Sequence, residues 1–192
     1  MPESDSVLAV IPARYGSTRF PGKPLADILG RPMIQRVVEA TEQSTRIDDV
    51  LVATDDERIR DAVEPTGARA VMTPRDLASG SDRVARVVRS REAELIVNVQ
   101  GDEPLITGAQ LDRGVDRVRE LEVGMGSFMA PLDSDLRENP DVVKVVVDDR
   151  DRALYFSRSP IPHTRGEPAE AFQHVGIYIY RREVLLAFAE AE

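Results

Sequence analysis

The sequence predicts an α/β protein built in three layers, a mostly parallel mixed sheet with helices on both faces. Three observations predict it. Short apolar runs of strand length alternate with segments whose apolar residues recur at helical spacing. The runs at 7–11, 50–54 and 95–99 are continuously apolar or nearly so, the pattern of strands covered on both faces. Each of these runs ends directly in polar or glycine-bearing residues, which places chemistry at the carboxyl ends of the strands.

In chain order, 7–11 is the first strand. The segment 32–41 carries Met33, Ile34, Val37, Val38 and Thr41 on one helical face, with Pro32 near its first turn. The second strand is 50–54, followed by a short helix at 56–63 that Glu64-Pro65 stops. A third strand is expected at 68–72 and a helix at 81–91, where Val84, Val87 and Val88 share a face. A fourth strand at 95–99 precedes a helix at 111–121 with Leu111, Val115, Val118 and Leu121 aligned. Beyond that point strands follow with few helices between them, at 125–130, 142–147, 153–156 and 175–180, and a helix begins at 182. The strand at 153–156 is expected to pair with 142–147. The Pro-, Gly- and charge-rich stretch 159–172 reads as a projecting loop or dimerisation segment. No linker interrupts the chain, so one domain over 1–192 is expected.

Composition narrows the function. The 192 residues carry a net charge of −9, which argues against general nucleic-acid binding, where a basic face supplies most of the affinity. There is no cysteine, so disulfides, thiolate metal sites and cysteine nucleophiles are excluded. The acidic start has no signal-peptide pattern and no apolar run reaches the length of a membrane span, so a cytoplasmic location is expected. Of 25 cationic side chains only Lys23 and Lys144 are lysine. This chain rarely spends lysine on surface solvation, which singles out Lys23.

Lys23 lies in the most informative stretch, 7–24, where the first strand runs into a loop holding Arg14, Arg19 and Lys23. Three cations on one tight loop repel each other unless a polyanion joins them, and a nucleoside triphosphate fits. Pro12, Pro21 and Pro24 restrict the loop before any ligand arrives. Gly16 and Gly22 allow positive φ or close approach of the main chain to phosphates.

Further candidates follow the other strands. Gly101-Asp102-Glu103-Pro104 comes directly after the fourth strand, with Gln100 at the turn. These residue pairs form ordinary turns. Opposite a triphosphate loop, however, the Asp102 carboxylate can share a hard cation such as Mg2+ with phosphate oxygens. In Thr54-Asp55-Asp56 one aspartate is expected to cap the helix, leaving the other free for a ligand. Ser79-Gly80-Ser81-Asp82-Arg83 opens a helix, where a cap and a ligand site can coexist and Arg83 can reach an anionic group. His163 and His174 have no sequence partners that would make a triad or a metal site.

Taken together, the segments 11–25, 30–34, 53–56, 79–83, 97–104, 153–162 and 174–178 resemble the 3-deoxy-manno-octulosonate cytidylyltransferases (CMP-KDO synthetases). These belong to the glycosyltransferase-A-like nucleotidyltransferases. The acylneuraminate cytidylyltransferases, an alternative within that fold, share mainly the first loop. The resemblance implies that CTP and a 2-keto-3-deoxy sugar acid react with Mg2+ to give a CMP-sugar and pyrophosphate, a step of lipopolysaccharide biosynthesis. It implies nucleotide contacts from Pro12, Ala13, Arg14, Ser17, Arg19, Lys23, Ser79 and Gly80. Arg14, Lys23 and Asp102 would carry catalysis, with Asp102 the metal ligand. Arg83, Gln100, His174 and Tyr178 would face the sugar acid, the arginine against its carboxylate. The resemblance also implies a homodimer, and a C-terminal segment bearing a second metal carboxylate that these 192 residues lack. A nucleotide-binding module without catalysis is the reading that the missing segment raises.

Overall fold

The computed structural model describes residues 5–16, 20–163, 165–166 and 170–191. Its strands are β1 (Val7–Ala13), β2 (Asp27–Ile28), β3 (Arg31–Pro32), β4 (Asp49–Thr54), β5 (Arg69–Met72), β6 (Leu95–Asn98), β7 (Met125–Pro131), β8 (Lys144–Val147), β9 (Ala153–Ser157) and β10 (Phe172–Arg181). Its helices are α1 (Met33–Glu42), α2 (Glu57–Val63), α3 (Gly80–Val88), α4 (Gly108–Glu120) and α5 (Arg182–Glu190). The chain divides into two compact units, Met1–Gly126 with Ile177–Glu192, and Ser127–Gly176.

The first unit holds the order β5-β4-β1-β6-β10. β1 pairs in parallel with β4 and β6, and β4 with β5, whereas β10 runs antiparallel to β6. All seven residues of β1 are buried, as a central strand covered on both faces requires. Side chains alternate between the faces. Leu8, Val10, Leu51, Ala53 and Ile96 pack with Val84, Val87 and Val88 of α3 and Leu185 of α5. Helices α1, α2 and α4 cover the opposite face with Ile34, Val37, Val38, Ile59, Val63, Leu111 and Val115, all buried. Each such side chain contributes roughly 1.5–3 kcal/mol of transfer free energy.

Local signals place the helix starts. Asp56 caps α2 by accepting from the Arg58 amide, and Ser79 with Asp82 forms a capping box on α3. α4 begins at Gly108 rather than 111, because Thr107 and Gln110 form a second capping box. Gly108 has no room for a side chain: a Cβ there would lie 2.4 Å from the Gln43 carbonyl carbon. A small hairpin of β2 and β3, turning through Leu29 and Gly30 at positive φ, interrupts what sequence pattern leaves as loop.

In the second unit β8 and β9 pair antiparallel, as expected for 153–156 against 142–147, and Phe172–Gln173 of β10 pair with β8. β10 starts three residues before the expected 175 and runs on into the first unit. Lys144, fully buried, donates from Nζ to the carbonyls of Asn139, Val142 and Arg158. The other lysine of the chain is thus a structural strut. Of the segment 159–172, residues 164 and 167–169 lie outside those described.

Candidate active site at the carboxyl ends of β1 and β6

Because β1 and β6 are parallel neighbours, Pro12-Ala13-Arg14 and Gln100-Gly101-Asp102 leave the sheet side by side. Their close approach is enforced by Gly101, where a Cβ would stand 3.0 Å from the Pro12 carbonyl oxygen. With the start of α3 they line a cavity of about 540 Å3. Pro12, Ala13, Arg14, Phe20, Lys23, Pro24, Ser79, Gly80, Arg83, Gln100, Gly101 and Asp102 contribute to its wall. An open α/β sheet places its ligand crevice at this position.

The cationic loop is folded back on itself. Gly22, at φ +72°, donates its amide to the Tyr15 carbonyl at 2.9 Å and opens the 3-10 turn at Lys23–Leu25. Pro24 fills the first positions of that turn, where a missing N–H is harmless. Lys23 is thereby aimed at the β6 loop, and its Nζ donates to Asp102 Oδ2 at 2.6 Å. Arg14 lines the same cavity and is exposed. Ser17 and Arg19 lie outside the described residues.

Charge is unevenly balanced beside this pair. Burial pushes the Glu103 carboxyl above its ordinary range, the neighbouring Asp102 charge adds to that, and Lys23 opposes it. Among the described residues no three His, Cys, Asp or Glu side chains gather as a metal cluster. Asp102, with 46% of its side chain exposed, offers one hard carboxylate to the cavity. That donor set fits a divalent cation whose remaining ligands are phosphate oxygens and water, and does not make an all-protein cage.

Ser79 and Gly80 stand at the N-terminus of α3 on the cavity wall, Ser79 with its hydroxyl engaged in the capping box. Cap and cavity positions coincide there.

Arg83 borders the cavity and is also tied inward. The resemblance turns it toward an anionic sugar acid; its side chain is 3% exposed, and its guanidinium makes internal bonds from both terminal nitrogens. It donates to Asp55 Oδ2 at 3.0 Å, to the Thr73 hydroxyl and to the Pro74 carbonyl. Asp55, the aspartate left free by the Asp56 cap, is therefore a partner for Arg83 and also accepts from the Tyr15 amide at 3.4 Å. The Tyr15 ring in turn carries the Arg58 guanidinium 3.4 Å from its centroid. Burial requires this pairing, since neither charge has water to solvate it. The pair braces α3 and the cationic loop from beneath the cavity.

On the remaining wall Gln100 donates from Nε2 to Asn98 Oδ1 at 3.1 Å. Tyr178 lies opposite Asn98 in the β6–β10 register and stacks on Tyr180, with ring centroids 5.9 Å apart. Burial raises the pKa of both phenols, so both are neutral at physiological pH. His174 belongs to the second unit. There its Nε2 lies 2.8 Å from the Ser127 hydroxyl, the Phe156 ring meets it edge-on, and burial lowers its pKa.

Sequence reasoning missed Asn98, Phe20 and the Asp55–Arg83 pair. Asn98 left a readable trace, a lone amide ending the apolar run Leu95-Ile96-Val97. The ion pair left none, because only the packing of α3 against β4 brings its members together.

Comparison with known proteins gives the family. A cytidylyltransferase family model matches residues 8–191. The 3-deoxy-manno-octulosonate cytidylyltransferase of Myxococcus xanthus is 50% identical, the match covering 98% of this chain and 78% of that protein. The protein of the same name from Syntrophotalea carbinolica is also 50% identical, over 96% of this chain and 78% of its own length. A solved structure of a CMP:2-keto-3-deoxy-manno-octonic acid synthetase complexed with CTP superposes with a TM-score of 0.92 at 44% identity. That superposition covers 97% of this chain and 78% of the solved one. A cytidylyltransferase from Leptospira borgpetersenii, 19% identical with a TM-score of 0.62, shares the fold. By sequence and by structure, this chain belongs to the 3-deoxy-manno-octulosonate cytidylyltransferases, and it is a nucleotidyltransferase.

Proposed function

We propose that this protein transfers the cytidylyl group of CTP to a 3-deoxy-manno-octulosonate-like sugar acid, releasing pyrophosphate. The observation that carries the reading is the meeting of Lys23 and Asp102 at the mouth of the β1–β6 crevice. The sugar's anomeric oxygen attacks the α-phosphorus in line, the bond from that phosphorus to the pyrophosphate oxygen breaks, and the hydroxyl proton leaves to solvent. Such a transfer needs positioning and charge neutralisation more than covalent help from the protein.

Arg14 and Lys23 hold the β- and γ-phosphates and absorb the charge that grows on the leaving pyrophosphate. Lys23 suits this as a compact point charge on the turn that Gly22 and Pro24 shape. Ser79 and Gly80 border the nucleoside end at the start of α3. Asp102 would hold Mg2+, which would supply further electrostatic neutralisation of the triphosphate. Gln100 and Tyr178 offer a carboxamide and a neutral phenol to the sugar acid. His174, which the resemblance also turns toward the sugar acid, lies in the second unit, where burial lowers its pKa. Arg83 works indirectly, holding α3 in place through Asp55.

A homodimer is favoured by the exposed apolar residues Leu154, Tyr155 and Phe156 on β9. The reaction, on two water-soluble substrates, is placed in the cytoplasm, where its product supplies lipopolysaccharide synthesis. No helix among the described residues is long and apolar enough to cross a membrane. The test is pyrophosphate release from CTP, Mg2+ and 3-deoxy-manno-octulosonate. Release that depends on both substrates is the expected result, and none with any 2-keto sugar acid overturns the reading.

A further inference from the structure

β6 lies between β1 and β10, and all four of its residues are buried. Three are aliphatic; the fourth, Asn98, has no solvent exposure at all. Its Oδ1 accepts from Gln100 Nε2, yet its Nδ2 has no hydrogen-bond partner among the described residues. A buried amide donor left unpaired costs stability, and an apolar side chain of similar size would remove that cost. A core that retains such a group breaks a local packing rule, and rules of this kind are broken where a site demands it. Gln100, the partner, reaches the cavity wall. Its Oε1 lies beside α3, 3.6 Å from where a Cβ of Gly80 would stand.

We infer that Asn98 is a positioning residue for sugar-acid recognition. It grips the Nε2 end of the Gln100 carboxamide from below the cavity floor, so that Gln100 shows the substrate its carbonyl oxygen. A fixed acceptor matches a hydroxyl donor of the sugar and mismatches the carboxylate. Without the grip, the Gln100 side chain is free to turn and must be ordered at each binding event. The inference rests on the reading that Gln100 meets the sugar acid, and its test separates the two.

The variants are Asn98→Leu, Gln100→Ala and the double substitution, assayed for pyrophosphate release with CTP, Mg2+ and 3-deoxy-manno-octulosonate, alongside melting temperature. Asn98→Leu is expected to raise the KM for the sugar acid about tenfold while leaving the KM for CTP within about twofold, as loss of one oriented hydrogen bond predicts. Its melting temperature is expected to stay level or rise, since the unpaired donor is gone. In the double variant the sugar KM is expected to match that of Gln100→Ala alone, because Asn98 acts through Gln100. Should Asn98→Leu fail to fold, Asn98→Ser, which also releases Gln100, takes its place. An unchanged sugar KM in Asn98→Leu beside a raised one in Gln100→Ala overturns the positioning role. So do fully additive effects, or equal losses toward both substrates with a lowered melting temperature. An unchanged sugar KM in Gln100→Ala, or a wild-type protein that releases no pyrophosphate, overturns the underlying reading and this inference with it.

Discussion

Lys23 Nζ and Asp102 Oδ2 lie 2.6 Å apart, although 79 residues of chain separate them. One comes from the loop after β1 and the other from the loop after β6, and the parallel pairing of those strands brings the loops together. Both side chains remain more than a third exposed, so the pair adds little to stability, about 0–1 kcal/mol for surface ion pairs generally. Its value lies in holding a cation and a carboxylate ready at one point of the cavity.

Lys23→Ala is therefore expected to weaken CTP binding by about 1.5–3 kcal/mol, the range for hydrogen bonds to charged groups, with the fold intact. Titration calorimetry checks the first part and thermal melting the second. An unchanged affinity for CTP contradicts the assigned role.

Asp102→Asn removes the hard carboxylate and keeps the side-chain shape. Mg2+-dependent turnover is expected to vanish while the melting temperature holds, because the side chain contributes almost nothing to the core. A variant that unfolds would instead mark Asp102 as a structural turn residue.

The buried pair behaves in the opposite way. Arg83→Met strands the Asp55 charge under the cavity, at a cost of about 3–5 kcal/mol in denaturant unfolding. Adding Asp55→Leu is expected to recover much of that loss. A single variant as stable as wild type contradicts the internal bracing role.

Asp56 makes acid stability testable. The Arg58 guanidinium, hydrogen-bonded to the carboxylate, lowers the Asp56 pKa from 3.8 to about 2, against the opposing effect of burial. A lowered carboxylate pKa contributes stability that is fully present above about pH 4 and lost as pH falls toward about 2. Asp56→Asn keeps a capping side chain and removes the titration, so its unfolding free energy is expected to fall less steeply over that window. Parallel pH profiles for the two proteins contradict the assignment.

Much of this was legible in the residues. The alternation of apolar runs and helical faces predicts the order of elements, since a strand covered on both faces is mostly apolar and each helix must bury one side. The Asp56 and Ser79 caps follow from local chemistry that needs no tertiary knowledge. Even the meeting of Asp102 with the cationic loop is legible, because each loop follows a strand at the carboxyl edge of one sheet. What stayed hidden depends on contact at a distance. Arg83 reads as a cation free at a helix start, and only the fold shows Asp55 and Thr73 within its reach. The hairpin of β2 and β3 was invisible for another reason: Leu29 adopts positive φ where pattern expects Asn or Gly. The early start of α4 could have been read from Thr107 and Gln110, whose spacing is that of a capping box.

The measurement that bears most directly on the central claim is CTP binding by calorimetry, with and without Mg2+, against ATP, GTP and UTP. The cavity between β1, β6 and α3 predicts binding that prefers CTP, strengthens with Mg2+ and weakens in Lys23→Ala. Equal affinity for all four nucleotides, or none for any, would contradict it.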